Sequence, residues 1–202
     1  MDQNKIKDFL ESFRDKLFRT IVIIDFSNVD KWQESLGWKM GINELAHLIR
    51  YFSKGNKDLR RFYYGSDYGQ KDSSNTLLSW SETVLTKAEF NHLNIVTKRV
   101  KYIHSDRLDG FQKKCDLDVE MTVDLIRLRE EYDNIILFSG DGDLFYVLKY
   151  LREEFKKSSY VFSARNHIGK ELMDGVKEGI LEKIVYIDDF KYRLDADRFK
   201  YR

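Results

Sequence analysis

Six short, nearly uniformly apolar runs recur along the chain, at residues 21–25 (IVIID), 61–65 (RFYYG), 94–100 (NIVTKRV), 134–140 (NIILFSG), 159–164 (SYVFSA) and 183–187 (KIVYI). A strand that is apolar on both sides is one that must be covered on both sides. Between several of these runs, at 42–53, 76–92, 117–132, 143–155 and 169–178, apolar residues return at helical spacing. Strands alternating with helices predict a three-layer α/β/α domain with a mostly parallel central sheet. Ligands of such sheets sit beyond the carboxyl ends of the strands, where the winding reverses.

The chain has no proline, so boundaries are read from glycine, serine and charge. Residues 1–19 predict an amphipathic helix with Ile6, Phe9, Leu10, Phe13 and Leu17 on one face. That face either packs on the domain or makes a homodimer contact. The main domain is expected over 20–190, followed by a charged tail at 191–202. Residues 65–75 and 104–114 read as loops, the first as a mobile flap.

Composition excludes several classes. One cysteine, Cys115, allows no internal disulfide, and with four scattered histidines a structural zinc site is not expected. No apolar run approaches ~20 residues, so no membrane span is expected, and the N-terminus lacks the apolar core of a signal peptide. The expected location is the cytoplasm. The net charge of +1 leaves any attraction for phosphate to local patches.

Acidic residues mark the chemistry. Asp25 ends the first apolar run, where a carboxylate serves either as a helix cap or as a functional group. Residues 116–132 form a second signal. At roughly 100° per residue, Asp118 points along the middle of the apolar arc, flanked by Val119, Val123 and Ile126 on one side and Met121, Leu125, Leu128 and Tyr132 on the other. Asp116 reads as the helix cap, and Asp124 falls on the solvent face, within reach of Arg127. Asp141 and Asp143 follow the strand at 134–138 in S-G-D-G-D-L. Two carboxylates ~4 Å apart repel by ~4 kcal/mol at an effective dielectric of 20. Several in one cleft need protons or a cation. Mg²⁺ or Mn²⁺ takes such oxygen ligands, and the combination suits phosphodiester hydrolysis.

Three segments resemble the NYN domain, a branch of the PIN-like nuclease superfamily that includes LabA-like proteins. They are IVIIDFSNV with Asp25 and Asn28, KKCDLDVEMTVDLI with Asp118 and Asp124, and SGDGDL with Asp141 and Asp143. IGKELMDGVKEGILEKIVYIDDF is similar to the family's closing segment, so the likeness runs over about 20–190. Leu117, Asp116 and Leu144 depart from the family pattern. The resemblance implies a PIN-like (Rossmann-like) sandwich and a divalent-metal ribonuclease. It implies Asp25, Asp118, Asp141 and Asp143 as metal ligands, Asn28 as the group orienting Asp25 or a metal-bound water, and Asp124 as a second-tier residue; Asp116, read from the residues as the helix cap, is a second-tier candidate beside it.

Candidate substrate contacts are Ser27, Lys98, Lys114 and Arg165, with Arg99, Lys101, Lys113, His167 and Lys170 nearby in sequence. Tyr63, Tyr64, Tyr68, Trp32, Trp38 and Trp80 include candidate base-stacking platforms, although most are expected in packing. The expected partner is nucleic acid, and RNA by the resemblance. A non-catalytic nucleic-acid-binding or regulatory module of the same fold is the alternative. A phosphotransferase with an acid two residues after Asp25 is disfavoured because Ser27 stands there, and no phosphate-binding G-x-x-x-x-G-K-[ST] loop exists.

Overall fold

The computed structural model describes residues 7, 8, 10, 11, 19–52, 59–70, 75–105 and 110–196. Its strands there are β1 (Thr20–Asp25), β2 (Arg60–Ser66), β3 (Asn94–Arg99), β4 (Lys101–Ser105), β5 (Gly110–Lys114), β6 (Asn134–Phe138), β7 (Ser158–Ser163) and β8 (Lys183–Tyr186). Six of them form one sheet in the order β3-β2-β1-β6-β7-β8, with every pairing parallel. The winding therefore reverses between β1 and β6.

Helices cover both faces: α1 (Phe26–Lys31), α2 (Gln33–Leu36), α3 (Ile42–Phe52), α4 (Ser79–Phe90), α5 (Asp118–Arg127), α6 (Phe145–Phe155), α7 (Lys170–Lys177) and α8 (Lys191–Leu194). Side chains alternate along a strand, so β1 feeds two cores. Val22 and Ile24 join Phe62, Ile136, Phe138 and Phe162 beneath α3 residues Leu45, Ile49 and Phe52. Ile21 and Ile23 join Tyr63, Ile135, Leu137 and Val161 beneath Met121 and Leu125 of α5 and Leu148 and Leu151 of α6. By the same alternation Asp25 belongs to the α5–α6 side, at the sheet's carboxyl edge.

Two expectations are corrected. Residues 104–114 are not a loop, because β4 and β5 pair antiparallel as a hairpin separate from the main sheet. The hairpin is pinned by Asp67, which is fully buried and accepts the Tyr102 hydroxyl and the Lys113 ammonium at 3.0 Å. Its tip at 106–109 lies outside the described residues, as do 71–74 of the expected flap. The flap's first two residues, Gly65 and Ser66, complete β2.

The second correction concerns α5. Met121 and Leu125 are buried as expected, but Val119 and Val123 are 69% and 52% exposed, while Asp124 is only 6% exposed. The helix is rolled toward β2, because the Asp124 carboxylate accepts hydrogen bonds from Arg61 Nε at 2.9 Å, from Arg61 Nη2 and from the Tyr63 hydroxyl at 2.6 Å. The Arg127 pair is present too, at 2.6 Å. Burial pushes the Asp124 carboxyl up, yet the bonds from Tyr63, Arg61 and Arg127 outweigh it and hold the group below its ordinary value. The helix also ends at Arg127 rather than running to 132.

At the N-terminus, Lys7, Asp8, Leu10 and Glu11 are helical and Leu10 is buried in the core. Arg19, with φ +58°, is a bend and not helix, and the other residues of the helix expected over 1–19, with its homodimer contact, lie outside the described residues. Beyond residue 190 the chain stays attached. Leu194 is fully buried, its carbonyl accepts from Gly41 N–H, and Ala196 N–H donates to Lys39 O. The rest of the expected tail, 197–202, is outside the described residues. Among the described residues no helix is long and apolar enough to cross a membrane.

Candidate metal centre

β1 and β6 lie side by side, and α1 begins immediately after β1. The Asp25 carboxylate caps α1 by accepting the Asn28 backbone N–H at 3.1 Å. Capping and facing the cleft are thus compatible uses of one side chain. Asp141 caps the short 3-10 turn at Gly142–Leu144 in the same way, accepting Asp143 N–H at 3.0 Å. Asp118 is the first residue of α5, and its N–H is held by the Asp116 carboxylate at 3.0 Å.

Asp118, Asp141 and Asp143 each present a carboxylate oxygen, all within 4.8 Å of one another. They share an open cleft of about 210 Å³ with Asp25, Ser27, Asn28, Lys31 and Asp116. Three chain segments far apart in sequence thus deliver four acids to one edge of the sheet. Asp25 is 8% exposed.

Two polar side chains, one buried and one half-buried, lock this edge. Ser139, with no exposure, donates its hydroxyl to Asp25 Oδ2 at 3.0 Å and accepts Asp141 N–H at 3.1 Å. Asn28 Oδ1 accepts from Gly140 N–H at 3.0 Å and from the Trp32 indole at 2.8 Å. Asn28 therefore orients Asp25 through its backbone and ties α1 to the end of β6 through its side chain. Gly140 is required by space, since a Cβ there would overlap the His167 carbonyl.

The electrostatics are those of crowded acids. Burial first, then the charges of Asp116 and Asp141, a hydrogen bond with Asp116 and the charge of Asp25, push the Asp118 carboxyl up to about 7. Asp25 is also raised, by burial and secondarily by Asp141, against the opposing hydrogen bonds from Asn28 and Ser139. No ion pair joins Asp25, Asp118, Asp141 or Asp143 to a basic side chain among the described residues. The charge of Lys31 also favours the ionised Asp25, but with no ion pair formed among the described residues, an all-oxygen set of ionisable donors fits a hard divalent cation.

The expected substrate contacts separate. Ser27 lines the cleft, and so do Lys31 and Cys115, which the sequence analysis did not single out. Lys98 instead bridges β3 to the start of α5, donating to Asp116 O at 3.0 Å and pairing with Glu120 at 2.8 Å. Arg165 pairs with Asp189 at 3.1 Å and lies over the Tyr186 ring. Lys114 is exposed on β5. None of these three lines the cleft, and neither does Asp124.

Ser139 was visible in the S-G-D-G-D string but carried no charge to attract notice. Its hydroxyl links two acids, so Ser139→Ala is expected to weaken metal affinity or cleavage by about 10- to 100-fold, the usual effect of losing a group that orients a ligand. Titration calorimetry of the folded variant checks this, and unchanged affinity together with unchanged cleavage counts against the linkage.

Comparisons with known proteins agree with this architecture. The sequence model of the NYN domain matches residues 19–181. The low amplitude and bright protein LabA of Synechococcus elongatus is 27% identical over 161 residues, covering 76% of this chain and 78% of that protein. A crystal structure of a Vibrio parahaemolyticus protein of unknown function superposes with a TM-score of 0.60 at 20% identity, over 84% of this chain and 93% of that one. At that identity the likeness speaks for the fold alone.

Proposed function

The chain belongs to the NYN domain family, a PIN-like nuclease family, and on that premise we propose that it is a divalent-metal-dependent endoribonuclease. The observation that carries the reading is the meeting of Asp118, Asp141 and Asp143 within 4.8 Å, beside Asp25, with no ion pair to any of the four among the described residues. Asp25, Asp118, Asp141 and Asp143 hold Mg²⁺ or Mn²⁺ in this reading. The bound ion supplies Lewis-acid charge for the scissile phosphate and a water of lowered pKa. Ser139 and the Asn28 backbone fix the Asp25 carboxylate, and Asp116 holds the start of α5 so that Asp118 faces the cleft. Lys31 and Ser27, which line the same cleft, contact the phosphate in this reading. RNA is the substrate class that the family favours, and the single cysteine suits the cytoplasm.

The test is cleavage of end-labelled single-stranded RNA, with sequence-matched DNA and a hairpin RNA alongside, in Mg²⁺, Mn²⁺ and EDTA. Internal cleavage of RNA that needs the metal supports the proposal. If no substrate is cut under either metal, a nucleic-acid-binding module of the same fold becomes the better description.

The raised Asp118 carboxyl sets a pH dependence. Ligands must be deprotonated, so a cation competes with the proton held below about 7. Metal affinity is expected to fall about tenfold for each pH unit below that value and to level off above it, as one proton is released on binding. Calorimetry in buffers of different ionisation enthalpy counts that proton. An affinity that does not vary between pH values on either side of 7 removes Asp118 from the site.

A further inference from the structure

A second cavity, of about 500 Å³, opens on a different face of α1 from the acidic cleft. Phe26 and Asp30, four residues apart on that helix, line it, while Ser27, Asn28 and Lys31 turn to the acids. Its walls are aromatic. Phe26 and Tyr64 are buried, and Trp80 leaves its indole 47% exposed. Trp80 stands edge-on to Tyr64 with ring centres 6.4 Å apart and carries the Lys113 ammonium 5.0 Å over its ring. Lys39 and Lys87 are exposed at the rim, and no ion pair engages them among the described residues. The Tyr64 hydroxyl is buried and makes no hydrogen bond of good geometry, although Ser81 lies near enough to oppose the rise that burial imposes on it.

The exposed Asp30 carboxylate on the wall beside Phe26 argues for a ligand with polar edges rather than an acyl chain. An exposed indole sharing a cavity with Lys39 and Lys87 argues for a flat ring attached to anions. The acidic cleft and this cavity flank the same helix, α1, and a helix is about 10 Å across, so one strand that wraps α1 reaches both.

We infer that the cavity is a nucleobase subsite: an unpaired base of the substrate strand stacks on Trp80, meets Asp30 with its polar edge, and places flanking phosphates at Lys39 and Lys87. The strand's identity rests on the nuclease reading, whereas the pocket's capacity for a base does not.

The test begins without metal. A 3′-fluorescein-labelled single-stranded oligoribonucleotide of about ten nucleotides is titrated in EDTA and followed by its anisotropy, with tryptophan fluorescence read in the wild type alongside. Trp32 and Trp38 are 0% and 8% exposed, so Trp80 dominates any quenching. The expected result is quenching, with binding about tenfold weaker in Trp80→Ala and largely retained in Trp80→Phe, as loss and retention of a stacking platform require. Lys39→Glu with Lys87→Glu alters only exposed side chains. It is expected to weaken binding and to lower the salt dependence by about two ion equivalents. With metal present, both changes raise KM for the oligonucleotide, leave kcat nearly unchanged and spare a dinucleotide too short to span α1. Binding and KM equal to wild type in Trp80→Ala and in the lysine double variant overturn the subsite and leave the nuclease standing. Anisotropy-detected RNA binding that is weakened in Trp80→Ala but kept in Trp80→Phe, in a protein that cuts nothing, supports the subsite and overturns the nuclease. Quenching by a fatty-acid or peptide probe but not by RNA overturns the subsite.

Discussion

Asp118→Asn is expected to reduce metal-dependent cleavage by at least ~100-fold and, at the same time, to stabilise the metal-free protein. Replacing a group that merely orients a ligand costs about 10- to 100-fold, and a direct ligand should cost no less. The stability effect comes from the same crowding. A carboxyl raised from 3.8 to about 7 binds its proton more tightly in the folded state than in the unfolded chain. Its contribution is therefore fully present at pH below 3.8 and is lost as pH rises from there through about 7. A shift of that size has a ceiling of ~4 kcal/mol, but Asp118 is only half-buried in an open cleft, and solvent screening reduces the effect to ~1 kcal/mol. Asparagine carries no charge to repel Asp116, Asp141 or Asp25. Thermal melts in EDTA should show the variant melting above wild type, with the gap widening from pH 5 to pH 8. Saturating Mn²⁺ should reverse the order, because only the wild type gains full binding free energy. Equal melting at all pH values, with cleavage intact, would remove Asp118 from both roles.

Asp124→Ala is expected to destabilise the fold by about 3–5 kcal/mol, a large part of a typical domain's stability. The Arg61 and Asp124 side chains are 10% and 9% exposed. Removing the carboxylate leaves a buried guanidinium and the Tyr63 hydroxyl without their acceptor. Replacing both partners, as in Arg61→Met with Asp124→Leu, should recover most of the loss, because the cost lies in the stranded charge rather than in the missing pair. Since the Asp124 carboxyl is held below its ordinary value, its contribution is present above pH 3.8 and fades as the solution becomes more acidic through the depressed value. Urea denaturation measures these differences. Metal affinity of the folded fraction is expected to survive, because Asp124 does not line the cleft. A variant that stays fully stable but loses metal affinity would place Asp124 in the site instead.

The contrast between these two aspartates marks how far the sequence could be read. Both lie on α5, six residues apart, and both match acids in the NYN pattern. Periodicity around the helix axis put Asp118 inward and Asp124 outward. A helical wheel knows only the helix itself. It does not contain Arg61 and Tyr63, which lie more than sixty residues earlier and turn Asp124 into a buried anchor. The same roll exposes Val119 and Val123. The β4–β5 hairpin escaped notice for a related reason. Its strands are rich in lysine and carry little apolar alternation, and they are held by each other and by Asp67 rather than by a core. Lys98 looked free because sequence shows a charge without showing Glu120 beside it.

What the sequence determined by itself was the layered architecture and the strand-end acids. Apolar runs fully buried on both faces can be satisfied only inside such a sheet, and a carboxylate that follows such a run must emerge at its edge. What only the tertiary structure decided was which acids meet, which bases are already spent, and that Ser139 and Asn28 wire two strand ends together. Those outcomes depend on strand order and on the rotation of one helix against the sheet. Both are set by long-range packing free energies that no local window of residues contains.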